Sequence, residues 1–258
     1  MTEAVVEYMN NEPKLVADLP NHLGHTGFAN FYPKSVWIDS YVAWGMFSSI
    51  YATDSKDDSL IAKATKHPKQ FAEFLKNDNG LYSHTYIDLL KSTYPKDLYW
   101  GRGNGLVLCC LPIMLENMLD IGNIKLFQEL AEAILPYQRD DYYFNTVLNK
   151  ESYRESSATL FIASGLMQGV REGYLSDEYI KPSVNAFEAV VDDLLLQGEK
   201  IYLQEVSDLT YPTIVLPYTF RFGKYSGYKN VRKENNSSYG LAALFLAAIQ
   251  YKKLRENR

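Results

Sequence analysis

Asp39 stands in the run Val36–Ala52, VWIDSYVAWGMFSSIYA, which holds no other charged side chain. A carboxylate in so apolar a stretch is costly to bury unless hydrogen-bonded. Burial also drives its pKa upward, as a proton donor working near neutral pH requires. Capping of a helix start accounts equally for an aspartate at this place. A second cluster lies in Gly80–Asn104, GLYSHTYIDLLKSTYPKDLYWGRGN, with His84, Asp88, Trp100, Arg102 and Asn104. Its glycines let backbone approach a ligand, its tryptophan supplies a stacking face, and its arginine offers a planar fork for a carboxylate. A turn closed by a surface ion pair is the plainer reading. The third cluster, SYRESSAT, puts Arg154 and Glu155 directly before an apolar helix, where an acidic residue in the first turn is ordinary.

Other chemistries find little support. His22, His25 and His67 lack metal-ligand spacing, so neither a metal nor a cofactor is expected. There is no phosphate-binding glycine loop, dinucleotide fingerprint or nucleophile elbow. Cys109 and Cys110, adjacent in an apolar stretch, cannot build a disulfide framework and read as inert packing. With Lys+Arg 26 against Asp+Glu 31, a net charge of −5 argues against nucleic acid as a partner. The N-terminus shows no basic and then apolar leader, and no apolar run reaches the ~18 residues of a membrane span. The expectation is a cytoplasmic protein without a membrane partner. Hydrophobic residues at 47% and charged residues at 22% describe a globular chain. An aromatic content of 14%, with Tyr 21, suits a sugar site as well as ordinary core filling.

The elements that must position these residues read as helices in pairs. Ser156–Tyr174 carries Leu160, Ala163, Met167, Val170 and Tyr174 on one stripe, with Ser156 or Ser157 to cap it and Gly173 to end it. Asp177–Gln197 follows as its hairpin partner. Val36–Thr53 with Ser59–Lys76 makes a second pair, and Asn104–Leu119 with Ile124–Tyr137 a third, in which Pro112 is expected to kink its helix or shift its start. Glu3–Asn10 and Ser237–Leu254 are further helices, and IYLQEV and TIVLPYTF are candidate strands in the long segment 198–236. Long loops between the pairs are the natural place for a site. No linker or low-complexity tract divides residues 1–258, so one domain is expected. Without a fixed repeat period a solenoid is disfavoured, and a closed all-α toroid of hairpins is preferred.

VWIDSYVAWG, GLYSHTYID, YWGRGNG, SYRESSATLFIASGLMQGVREGYL and SSYGLAALFLAAIQY occur in one order. Together they resemble the successive motifs of glycoside hydrolase family 105, the unsaturated rhamnogalacturonyl hydrolases, related to the unsaturated glucuronyl hydrolases of family 88. The resemblance implies an (α/α)6 barrel with its active site at the loop-rich end. Fewer helices can be counted than a complete toroid holds, so the barrel reads as shortened at the N-terminus. The implied substrate is an oligosaccharide left by a polysaccharide lyase, with a C4=C5 double bond in its non-reducing uronic acid. An aspartic acid protonates C4, water adds at C5, and the resulting hemiketal opens and releases the sugar. By motif, Asp88 would be proton donor and then base, with Asp39 as a second acid in the same aromatic-walled cup. Trp100 would stack on the sugar, Arg102 would meet an anion or orient a carboxylate, His84 and Asn104 would bind hydroxyls, and Arg154 and Glu155 would support them. Two departures are visible: His84 and Asp88 are four apart where the family has H-x-x-D, and Leu106 follows GNG where an aromatic is usual. The alternative is an inactive, shortened relative that binds carbohydrate or a protein partner, and homo-oligomer formation stays open.

Overall fold

The computed structural model describes residues 2–11, 14–23, 33–212 and 227–256. Eight α-helices dominate these residues: α1 Thr2–Asn11, α2 Ser48–Ser55, α3 Asp58–Leu75, α4 Gly101–Asn117, α5 Ile121–Ile134, α6 Ser156–Arg171, α7 Ile180–Asp192 and α8 Ser238–Glu256. A π-helical segment, Tyr41–Phe47, runs directly into α2. The helix pairs expected from periodicity form, with α2 against α3, α4 against α5 and α6 against α7, while α8 packs on α6.

α4 and α6 are apolar nearly all round and lie innermost, as such helices must. Leu108, Leu111, Ile162 and Leu166 face a core shared with α3 and α5. Cys109, Leu160, Phe161 and Met167 face a second core with α7 and α8. The two helices approach closely at Gly165, where a Cβ would lie 2.3 Å from the Leu108 carbonyl oxygen. That carbonyl is four residues before Pro112, which has no N–H to offer it. Pro112 does not shift the start of α4: the helix runs continuously through it, and α6 packs where the ladder lacks a donor. Burial pushes the Cys109 thiol up to about 11 and raises Cys110 as well, in keeping with inert packing.

Short strands occupy the connections. β1 Lys14–Val16 and β2 Leu19–Pro20 pair, and β3 Ser35–Trp37, β4 Thr85–Ile87 and β5 Ser92–Tyr94 form an antiparallel sheet in that order. β6 Leu195–Gln197 pairs with β7 Lys200–Tyr202, and β8 Val206–Ser207 with β9 Lys233–Glu234. Two helix expectations are thereby corrected. Residues 35–37 are strand, because tertiary pairing with β4 outweighs the helical reading of an apolar run that begins with β-branched and aromatic residues. Residues 195–197 likewise leave the helix for a hairpin, whose turn places Gly198 at φ +61°. The candidate strand TIVLPYTF lies outside the described residues.

Candidate active site

The antiparallel register of β3 on β4 sets the site. Trp37 pairs with Thr85, and beyond it the Ile38 amide donates to the His84 carbonyl at 2.9 Å, which carries Asp39 past the end of the sheet beside His84. His84 Nε2 lies 3.1 Å from Asp39 Oδ2, and His84 Nδ1 lies 2.6 Å from the Tyr228 hydroxyl. The His84 ring is fully buried and stacks on Trp100, with centroids 4.3 Å apart. Asp39 is the exposed end of this chain of contacts, its side chain 32% accessible.

Asp39 opens into a cleft of about 320 Å³ lined by His22, Trp37, Trp100, Arg102, Leu106, Phe161, Leu209, Thr210, Tyr211 and Tyr239. The size and the mix of aromatic walls with few polar groups are those of a small-ligand site. His22 stacks flat on Trp37 at 4.4 Å and hydrogen-bonds the Ser40 hydroxyl through Nδ1 at 2.7 Å. Tyr211 meets the Trp37 ring edge-on.

Arg102 comes from the first turn of α4 and is turned toward the segment after β8. Its Nη1 donates to the Ser207 carbonyl at 2.7 Å and the Ser207 hydroxyl at 2.8 Å, and its Nη2 to the Asp208 carbonyl at 3.0 Å. The guanidinium also lies over the Tyr239 ring. Behind it, fully buried Glu155 caps α6 by accepting the Ala158 amide at 2.5 Å, and it takes the Ser207 amide at 2.9 Å and stands 3.8 Å from Arg102 Nη1. Glu155, not Ser156 or Ser157, is thus the cap.

Burial by itself would push the Asp39 carboxyl up. The hydrogen bond and charge of His84, with the charges of His22 and Arg102, outweigh it, and the carboxyl is held below its usual range. Burial pushes both His84 and His22 down, more than the Asp39 charge pushes them up. At neutral pH the resting site therefore holds a carboxylate beside two neutral imidazoles. The upward shift expected from the apolar sequence is corrected, because the run's own partners arrive from elsewhere in the chain.

Of the expected site residues, Asp39, Trp100 and Arg102 line the cleft, and His84 and Glu155 stand directly behind it. Asp88 does not join them. It lies beyond the other end of β4, with its amide on the Lys34 carbonyl and its carboxylate on Lys91, 30% exposed. Four residues of extended chain separate His84 from Asp88 by roughly 13 Å, whereas in a helix they would share a face. Asn104 is fully buried, its amide taken up by the Tyr82 amide and carbonyl and the Trp100 carbonyl, so it ties β4's approach to α4 and leaves nothing for a sugar hydroxyl. Arg154 faces a different depression, paired with Asp193 and Glu205. Trp100 is 1% exposed with His84 on its face, so the more open Tyr211 offers the better sugar-stacking surface. Trp37 and Tyr228 escaped the sequence reading. A strand assignment for 35–37 would have exposed the W-x-D alternation, while nothing local marks Tyr228.

The family model for Glycosyl Hydrolase Family 88 matches residues 1–255. The chain belongs to this family. Among curated relatives, an unsaturated 3S-rhamnoglycuronyl hydrolase of Alteromonas sp. (strain LOR) is 26% identical over 221 residues, covering 81% of this chain and 48% of that protein. The family 88 chain thus spans about half the length of that relative, and 33% of a second one from Formosa agariphila. Two solved structures share its fold. A possible family 105 member from Klebsiella pneumoniae superposes with TM-score 0.85 at 21% identity, covering 100% of this chain and 65% of that one. A family 105 glycoside hydrolase from C. acetobutylicum gives 0.84 at 20%, covering 96% and 72%. The all-α architecture of this family 88 chain is accordingly that of the (α/α)6-barrel hydrolases.

Proposed function

We propose that the chain removes a 4,5-unsaturated uronic acid from the non-reducing end of lyase-generated oligosaccharides, by hydrating the C4=C5 bond, with Asp39 as acid and base. The observation that carries this reading is a partly exposed carboxylate, Asp39, the one acidic side chain lining the aromatic-walled cleft among the described residues, braced by the buried His84 ring and close to the Arg102 charge. Asp39 takes the role that sequence alone gave to Asp88. The Asp39 O–H bond breaks as the C4–H bond forms. The resulting carboxylate then accepts a proton from the water whose oxygen bonds to C5, so the acid is restored in each cycle. The hemiketal at C5 opens without further help. A carboxylate held ionised by its own neighbours needs a cause to take up the first proton. The substrate's own carboxylate supplies one, since a second negative charge in the cleft raises the pKa of the first. The low resting pKa also suits a second reading, a module that binds sugars without hydrolysing them.

The reducing cytoplasm as the place of action is supported by the unpaired, buried Cys109 and Cys110. The unsaturated rhamnoglycuronyl oligosaccharides named for the Alteromonas relative lead the substrate panel. Loss of the ultraviolet absorbance of such compounds is expected on mixing, and Asp39→Asn should slow it by roughly 10²–10⁴-fold. An unchanged absorbance together with calorimetric binding would replace hydrolysis by the binding reading. An active Asp39→Asn would remove Asp39 from the chemistry.

A further inference from the structure

The two nitrogens of His84 have different partners, and only one of them touches a residue facing the cleft. Tyr228 reaches His84 from 144 positions along the chain, and its ring is 1% exposed and set edge-on to the imidazole at 5.7 Å. We propose that Tyr228 is a positioning residue, whose hydroxyl donates to His84 Nδ1 and so fixes the Nε2–H tautomer that grips Asp39 Oδ2, leaving Oδ1 to carry the proton exchanged with substrate. The proposal rests on the reading of Asp39 as acid and base.

A neutral imidazole has one N–H and one bare nitrogen, so a donor on Nδ1 commits Nε2 to donate. Asp39, an ionised acceptor, is the partner such a donor needs. A ring free to swap tautomers would at times present a lone pair to Asp39 Oδ2, and an ionised carboxylate facing a lone pair turns away. The packing makes a swap by rotation costly, because the imidazole is stacked on Trp100 and flanked by Trp37. Among the described residues, the titratable or charged groups facing the pair are His22, Arg102 from α4 and Tyr228 itself. The arrangement follows the logic by which a buried third group orients the base of a catalytic triad, here with a phenol as the outermost member.

Two measurements on the full chain test it. The chain has four histidines, and nitrogen-15 spectra with His84→Gln as the subtraction control identify the His84 ring. The expected pattern at neutral pH is a protonated Nε2 and a bare Nδ1. A protonated Nδ1 overturns the proposal whether or not Tyr228 variants fold. Tyr228→Phe keeps the ring and removes the hydroxyl, and it should lower kcat about tenfold with KM within twofold, and move the basic limb of the kcat profile upward as Asp39 loses a constant donor. Wild-type kcat and an unmoved limb overturn it. Activity that survives in Asp39→Asn removes the proposed function instead, while the tautomer pattern is read independently of any turnover.

Discussion

Asp39 has no charged neighbour in sequence and yet its ionisation is governed by three cationic or potentially cationic side chains, His84, His22 and Arg102. The kinetic consequence has a definite sign. On the proposed mechanism the free enzyme must be protonated at Asp39 to donate to C4, and its pKa is below the usual aspartate range. kcat/KM should therefore fall about tenfold per unit from pH 5 to 7. In the complex the substrate carboxylate raises that pKa, so kcat should stay level to higher pH than kcat/KM does. Rate profiles on one unsaturated disaccharide check both limbs. Coincident limbs would remove the role given to the substrate carboxylate. Asp88→Asn, in contrast, alters a half-exposed ion pair with Lys91 and should leave kcat within about twofold.

At the scale of elements, β3 and β4 do more for the site than any helix, because their register decides which residues adjoin Asp39. The helices answer to a different constraint, close packing. Gly165→Ala would drive a methyl group into the Leu108 carbonyl, where a Cβ has only 2.3 Å, and should destabilise by about 1–3 kcal/mol through separation of α4 and α6. Denaturant midpoints with an unchanged slope would register it. His67, buried in α3, carries a pH signature. Burial pushes its pKa down from 6.5 to about 4, so the native state resists a proton that the unfolded chain accepts. Its stability contribution is therefore whole above pH 6.5 and is lost progressively toward pH 4, by ~3 kcal/mol. Urea titrations at intervals across that window should show the decline, and His67→Leu should make it shallower, leaving the part that the likewise depressed His84 and His22 contribute.

Across the whole molecule, the Arg102–Glu155 pair joins the start of α4, the start of α6 and the segment after β8, three regions distant in sequence. Arg102→Met would leave the Glu155 carboxylate buried without its cation, and removal of one partner of such a pair typically costs 3–5 kcal/mol. The expected result is a Tm lowered by roughly 10 °C and faster proteolysis between residues 204 and 212. A Tm within 2 °C of wild type would show that the clamp does not hold that wall.

Periodicity and motif order made the helical pairs, the all-α class and the neighbourhood of Asp39, Trp100 and Arg102 legible in the sequence, because each depends on contacts within a turn or on side-chain types that few sites combine. The strand at Ser35–Trp37 was not legible, since a short apolar run serves either period until its partner is known. The pairing of Asp39 with Asp88 failed on β4, which runs between His84 and Asp88: spacing along a chain becomes distance only once the rise per residue is fixed. Tyr228's contact with His84 and the bonds of Arg102 to Ser207 and Asp208 belong wholly to tertiary structure, where hydrogen bonds between residues more than a hundred positions apart have no local signature. Residue types announced an acid in an apolar setting, and the packed fold decided that Asp39, not Asp88, adjoins His84 and the cleft, because strand register and long-range packing set those contacts.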